Sequence, residues 1–430
     1  MRIAFLAYRG SMHSGGQGIY LCSLTQELAR RGHKLDVFVG PPYPDPMPWA
    51  RVKRIENQQF WAAGFSKQRG AFLPRPDPFR ILRPLNFYEY AVSRFGFLPE
   101  PFAFSVRSAA ALTRRMRRGV RYDLVHDVQS LSYGLLWLRA LGVPVVATVH
   151  HPLTVDRRFS LRRDRSFTER KGTLTFYPVR TQSRVARRLD ALLTSSESSR
   201  REIEQGFAVP TPRVHNVLNG IELPPAGQPR PRPAQPKLLF VGRAGDPNKG
   251  LEHLLTALSL LPAELELCVL DAHPLDTPLA RQARELRPPG RVRFLGKIPR
   301  AALERAYRNA AVVVIPSLFE GFGLPAIEAL AAGTPVVAAR AGALPEVLAI
   351  ARAGVLVPPA DPPALAKGIS HVLEHWEAEQ RGACEARERI ERGFSWPAVA
   401  GRTEAVYRQV LRGRAATREL RLNRSRDPGD

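Results

Sequence analysis

The chain has 430 residues, 44% of them hydrophobic and 24% charged, a balance that excludes a disordered or membrane-embedded protein and suggests two domains rather than one core. Lysine and arginine outnumber acidic residues 64 to 39, and the net charge of +25 draws phosphorylated substrates, nucleic acid or anionic lipid. The excess is almost all arginine in an alanine- and proline-rich background, which compositional bias alone produces, so no specific nucleic-acid partner is expected.

Arginine-rich runs at 114–118, 157–165 and 184–188 leave an anionic membrane surface open as a partner. Cys22, Cys268 and Cys384 are far apart in apolar settings and read as buried free thiols, which suits a reducing compartment; none is spaced for zinc. The first seven residues are too short for a signal-peptide core. No run approaches the roughly 18–20 apolar residues of a spanning helix. These features predict a cytoplasmic protein, at most peripheral on the inner face of a membrane.

The chain opens on a strand (Arg2 to Ala7), a glycine loop through Gly15, Gly16 and Gly18, and a helix from about Ile19 to Arg31 that buries Leu21, Leu24 and Leu28. A second strand, Lys34 to Val39, completes a right-handed parallel crossover. The loop is not a dinucleotide G-x-G-x-x-G, but its amides and the helix N-terminus suit a phosphate or polar ligand. From about 41 to 110 prolines, aromatics and arginines mix, as in a loop-rich insertion or an acceptor-side surface. The alternation then resumes. Tyr122 to Val125 reads as a strand ending in His126-Asp127, followed by a helix from about Gln129 to Leu141 and a strand from Val143 to Val149 ending in His150-His151. The paired histidines lack a carboxylate pattern, so they suggest an acceptor-side contact rather than a metal site. A basic helix, a strand (Ala191 to Thr194), a helix and a strand (Val214 to Leu218) close the first domain, residues 1–222.

A proline-rich linker spans 223–236. The second domain, 237–395, begins with a strand (Lys237 to Val241) that runs into Gly242-Arg243 and on to Lys249-Gly250, ahead of a helix. No G-K-[ST] follows, so this is no Walker loop. An arginine fork, a compact ammonium and a helix N-terminus between strand and helix nevertheless suit a diphosphate. Later, the buried strand from Ala311 to Ile315 leads into Leu318-Phe319-Glu320-Gly321-Phe322-Gly323-Leu324-Pro325-Ala326-Ile327-Glu328. The glycines allow a sharp turn and close backbone approach, and Pro325 suits a first helical turn. Glu328 falls on or beside the buried stripe of that helix, where a carboxylate needs a hydrogen-bond partner. A final helix is expected over 396–412, then a basic, frayed tail over 413–430.

The run from Glu320 to Glu328 resembles the E-x7-E motif of retaining glycosyltransferases of family 4, the glycogen-synthase and phosphatidylinositol-mannosyltransferase type. The resemblance covers nearly the whole chain except about 41–110 and the tail. It implies a GT-B architecture: two Rossmann-like, doubly wound α/β domains with parallel sheets, facing across a cleft. It also implies sugar transfer, with retention, from a nucleotide diphosphate sugar to a glycan or lipid-linked acceptor, without cofactor or metal. By that resemblance Glu320 grips the donor sugar, Glu328 the ribose, and Arg243 and Lys249 the leaving diphosphate, with Gly242, Gly321, Phe322, Gly323 and Leu324 lining the donor. Gly15 and Gly16 match the family's loop over the donor phosphates, and Asp123-Leu124-Val125-His126 matches a strand whose histidine touches the donor sugar. The family's G-G-x-x-E is altered here, with Ala341 in place of its first glycine. The alternatives are an epimerase or phosphorylase of the same fold, a catalytically idle sugar-nucleotide sensor, and a basic nucleic-acid binder.

Overall fold

Near-continuous apolar runs, as parallel strands buried on both faces require, build two sheets. A computed structural model describes the chain except residues 13–15, 58–76, 151, 165, 177, 272–277, 287, 289 and 425–430. The first sheet contains β1 (Arg2–Ala7), β2 (Lys34–Val39), β3 (Arg51–Arg54), β4 (Leu124–Val128), β5 (Val145–Thr148), β6 (Ala191–Thr194) and β7 (Val214–Asn216). All its pairings are parallel, in the order β3-β2-β1-β4-β5-β6-β7. The second contains β8 (Lys237–Val241), β9 (Glu266–Leu270), β10 (Val292–Phe294), β11 (Val312–Ile315), β12 (Val336–Ala339) and β13 (Val355–Val357), also all parallel, in the order β10-β9-β8-β11-β12-β13. Each order reverses direction once, between β1 and β4 and between β8 and β11. Ligands of open α/β sheets bind at the carboxyl ends of such strand pairs.

Two compact units follow: Met1–Ser195 with Ser199–Val217 and Val399–Asp430, and Ser196–Ser198 with Leu218–Ala398. The last helix, Trp396–Arg424, does not end near residue 412 but continues twelve residues further, through most of the tail read as frayed. Within the first unit Arg414 on this helix binds the Asp190 carboxylate through Nε and Nη2, at 2.9 and 2.8 Å. Glu404 meets His33 at 3.2 Å. These contacts give the basic C-terminal segment folded partners that its composition does not reveal. The three cysteines form no disulfide and are partly exposed rather than buried. β3, Arg-Val-Lys-Arg, lies at the sheet edge, where charged side chains keep an unpaired ladder from joining other strands.

The placement of His126 is corrected. β4 runs to Val128, so His126 stands in mid-strand, paired in register with Phe5 and Val146, and not at the carboxyl end. Its Nε2 meets Thr148 Oγ1 at 2.7 Å and its Nδ1 meets the Tyr407 hydroxyl. It is fully buried, and burial, then the neighbouring His150, lowers its pKa to about 3. A histidine neutral when folded and free to protonate near pH 6.5 when unfolded stabilises fully above that pH and loses its contribution as pH falls towards 3. Asp127 behaves oppositely: burial raises its carboxyl to about 6, so its relative stabilisation is present at low pH and lost as pH rises through 6. His126→Leu should therefore remove from the pH profile a loss on the order of 2 kcal/mol between pH 7 and pH 5. Urea unfolding of both proteins at the two pH values measures it; identical slopes would refute the burial account.

Candidate active site

Two loops leave the switch point of the second sheet. The one after β8 folds into a short 3-10 turn, Pro247–Lys249, capped by Asp246, whose carboxylate accepts from Asn248 N at 3.0 Å. The turn stops at Gly250, whose φ is +68° and where a Cβ would lie 2.1 Å from the Pro316 carbonyl oxygen, so only glycine fits. The loop after β11 reaches Gly323, the N-cap of Leu324–Ala331, with φ +94°. The Leu318 amide donates to the Asn248 carbonyl at 2.8 Å and ties the two loops together. That link brings Lys249 to Glu320: Nζ to Oε2 is 2.8 Å, and Ser317 Oγ donates to the same oxygen at 3.3 Å. Both side chains are largely shielded, with 25% and 12% of their surface exposed. Glu320 is further seated by Gly342, because a Cβ there would stand 2.0 Å from the Glu320 carbonyl oxygen.

Arg243 lies on the same loop as Lys249, is 63% exposed and among the described residues forms an ion pair only with Asp246, at 3.2 Å. A surface pair of that kind is weak, so the guanidinium can swing to an anion at little cost. The first turn of Leu324–Ala331 contributes backbone amides and the positive end of a helix dipole at the same sheet edge. Phe322 is buried and packs edge-on to Phe394, with centroids 5.8 Å apart, which anchors the glycine turn. Gly242 has no close neighbour at its Cβ position, the nearest atoms being 3.6 Å away, so packing does not demand it.

Glu328 has the partners that its place on the helix requires. Arg300 Nη1 donates to Oε1 at 2.9 Å and the Tyr307 hydroxyl to Oε2 at 2.8 Å. Burial, and then the Glu328 charge, raise the Tyr307 phenol well above its ordinary value, so it remains a donor. Arg300 also donates to Glu304 Oε1 and to the Glu222 carbonyl, both at 3.0 Å. The sequence reading missed Arg300, Tyr307 and Ser317, and it met Gly342 only as the retained glycine of the altered G-G-x-x-E. For the first three, only the demand for a partner near Glu328 gave any signal. On the ribose-binding role that the resemblance implies for Glu328, Tyr307→Phe, which keeps the ring and removes one donor, should free the carboxylate to rotate and raise the KM of the nucleotide-sugar donor about tenfold, with kcat little changed. Steady-state kinetics of the variant tests this; equal KM values would make the tyrosine merely structural.

In the first unit, Gly15 and His151 lie outside the described residues. Gly16 is the exposed first residue of Gly16–Arg30, and a side chain there would meet nothing within 4 Å. Gly18, named in the loop but not among the candidate donor contacts, carries the steric demand: its Cβ would fall 2.1 Å from the Ser11 carbonyl oxygen. The His150 amide donates to Gln129 Oε1 at 2.9 Å, and its ring stands edge-on to Tyr20 at 4.4 Å.

Comparison with known proteins defines the class. The family "Glycosyltransferase Family 4" matches residues 14–223, and "Glycosyl transferases group 1" matches residues 227–389. The MMP alpha-(1->4)-mannosyltransferase of Mycolicibacterium hassiacum is 37% identical over 421 residues, covering 96% of this chain and 98% of its own. Among solved structures, the sucrose-phosphate synthase of Thermosynechococcus elongatus superposes with a TM-score of 0.67 at 25% identity, covering 96% of this chain and 99% of that one. Anabaena HepE, solved with UDP and glucose, superposes with a TM-score of 0.66 at 18% identity, covering 95% and 100%. The chain is a glycosyltransferase of family 4, with the GT-B arrangement of two parallel-sheet α/β domains. Among the described residues no helix is long and apolar enough to cross a membrane.

Proposed function

We propose that the chain transfers a sugar from a nucleotide diphosphate sugar to a carbohydrate acceptor, with retention at the anomeric carbon and without a metal ion. The observation that carries this reading is the Lys249–Glu320 pair at the β8/β11 switch point, with Arg243 on the same loop. Lys249 and Arg243 take the diphosphate, together with amides around Gly321, Phe322, Gly323 and Leu324. Glu320 accepts hydrogen bonds from the donor sugar hydroxyls, and Glu328, held by Arg300 and Tyr307, accepts them from the ribose. Glu320 already serves Lys249 and acts as a grip, not as a nucleophile. The acceptor oxygen forms the new bond to the anomeric carbon as the bond to the β-phosphate oxygen breaks. The electron pair leaves on the diphosphate, and the acceptor hydroxyl proton passes to it. Charge grows on the phosphates in this step, where preorganised cations lower the barrier most.

His126 has no place in this chemistry, because both its ring nitrogens are engaged inside the first unit. Nucleotide release from UDP-, GDP- and ADP-sugars, with the anomeric configuration of the product read by NMR, tests the reading. One donor should be turned over with retention and in the presence of EDTA. Inversion, or activity lost to EDTA, would contradict the finer assignment.

A further inference from the structure

The first unit contains a groove that the donor chemistry leaves unused. Its wide part is a hollow of about 880 Å³ between Leu153–Arg163, Phe167–Phe176 and the start of Val179–Ala186. Arg157, Arg170, Lys171 and Arg180 line it above apolar side chains such as Phe97 and Phe167, and no acidic residue is among its described lining residues. No described residue of Phe167–Phe176 is buried, and Phe167 is 83% exposed. Through Phe97, Pro178 and Thr181 the hollow continues into a chamber of about 160 Å³ that reaches Ser130, Ser132 and Gln182, just past the carboxyl end of β4.

Two polar atoms mark the chamber as a binding site. Ser132 and Gln182 are 2% and 3% exposed, yet Ser132 Oγ and Gln182 Oε1 have no hydrogen-bond partner among the described residues. Buried polar atoms without partners are costly and uncommon, and here both belong to residues that line the chamber. Rings stand beside them: Tyr133 and the pair Tyr88–Phe102, with centroids 4.9 Å apart, line the same chamber. Apolar ring faces next to hydrogen-bonding atoms suit a sugar, which has a C–H face and a hydroxyl rim. The four cations at the wide end suit a negative charge.

We propose that this groove binds the acceptor, and that the acceptor is a glycan bearing an anionic group, phosphate or carboxylate. The inference rests on the transferase reading. In the chamber sugar hydroxyls donate to Gln182 Oε1 and bond Ser132 Oγ, while the anionic group lies among Arg157, Arg170, Lys171 and Arg180. The test is calorimetric titration of the full chain with maltohexaose, maltohexaose 6-phosphate and maltohexaonate, at low salt and in 0.5 M NaCl. At low salt one or both anionic sugars should bind at least tenfold more tightly than the neutral one, and the tighter of the two identifies the group.

That advantage should vanish in 0.5 M NaCl and in the double variant Arg170→Ala/Lys171→Ala, whose side chains are exposed and carry no core packing. Gln182→Leu should weaken all three sugars about fivefold. Equal binding of neutral and anionic sugars, or a double variant that binds as wild type does, overturns the proposal. So does saturable binding to phosphatidylglycerol vesicles with no sugar bound, which would assign the cations to a bilayer. Nucleotide-sugar titration of the same samples separates the two readings. If donors bind and the groove variants change nothing, only the acceptor inference fails. If no donor binds, the transferase reading fails independently.

Discussion

Lys249→Ala should lower kcat by about a hundredfold or more, the usual cost of removing one preorganised charge stabiliser. The size follows from where the ammonium sits. It lies 2.8 Å from Glu320 and is mostly shielded, so water replaces its charge poorly. Removing it should have two consequences: the departing diphosphate of the proposed reaction loses a cation, and Glu320 keeps only the Ser317 hydroxyl as a side-chain partner among the described residues. The unbalanced carboxylate, proposed to grip the donor sugar, then repels the neighbouring diphosphate. Arg243→Ala should have a similar effect on kcat with a smaller change in the ground state, because Arg243 is 63% exposed and its pairing with Asp246 is weak. Activity within threefold of wild type in both variants would remove the cations from the mechanism.

Gly342→Ala should be nearly as damaging, although residue 342 touches no proposed substrate. Its φ of +55° is tolerable for alanine at a cost on the order of 1 kcal/mol, but the new methyl would stand 2.0 Å from the Glu320 oxygen and 2.8 Å from its carbonyl carbon and its nitrogen. All three contacts are with backbone, so no side-chain rotation relieves them. The Glu320 segment must shift by about an ångström, and the Ala343 amide that donates to the Glu320 carbonyl at 2.9 Å must follow. Displacements of that size cost about a hundredfold in rate where geometry governs the reaction. Donor binding should fall as well, while thermal stability changes by only a few degrees. Kinetics and a melting curve on one preparation decide it; full activity would show that the Glu320 position is not critical.

The second unit was the more legible half. Its strands are short apolar runs between glycine and proline turns, and the strand expected over Lys237 to Val241 has those bounds in the structure. The first unit hid more. β4 was cut short because His126 and Asp127 look like a strand end, yet parallel register with β1 carries the ladder on to Val128. The helix after it starts at Gly134, not at 129, since Gln129 and Leu131 adopt positive φ values of 62° and 42°. Nothing in either residue announces a left-handed conformation. Partners far apart in sequence were equally invisible. Tyr407 on His126 and Arg300 on Glu328 are tertiary facts, and local periodicity carries no record of them.

The most direct test is thermal denaturation with UDP-, GDP- and ADP-sugars, each in EDTA, for wild type and for Lys249→Ala. At least one donor should raise the wild-type melting temperature by several degrees, since a ligand held only by the folded state stabilises it in proportion to occupancy. The same donor should leave Lys249→Ala within a degree of its ligand-free value. A variant stabilised as strongly as wild type, or a wild type that no sugar nucleotide stabilises, would contradict a diphosphate site built on Lys249.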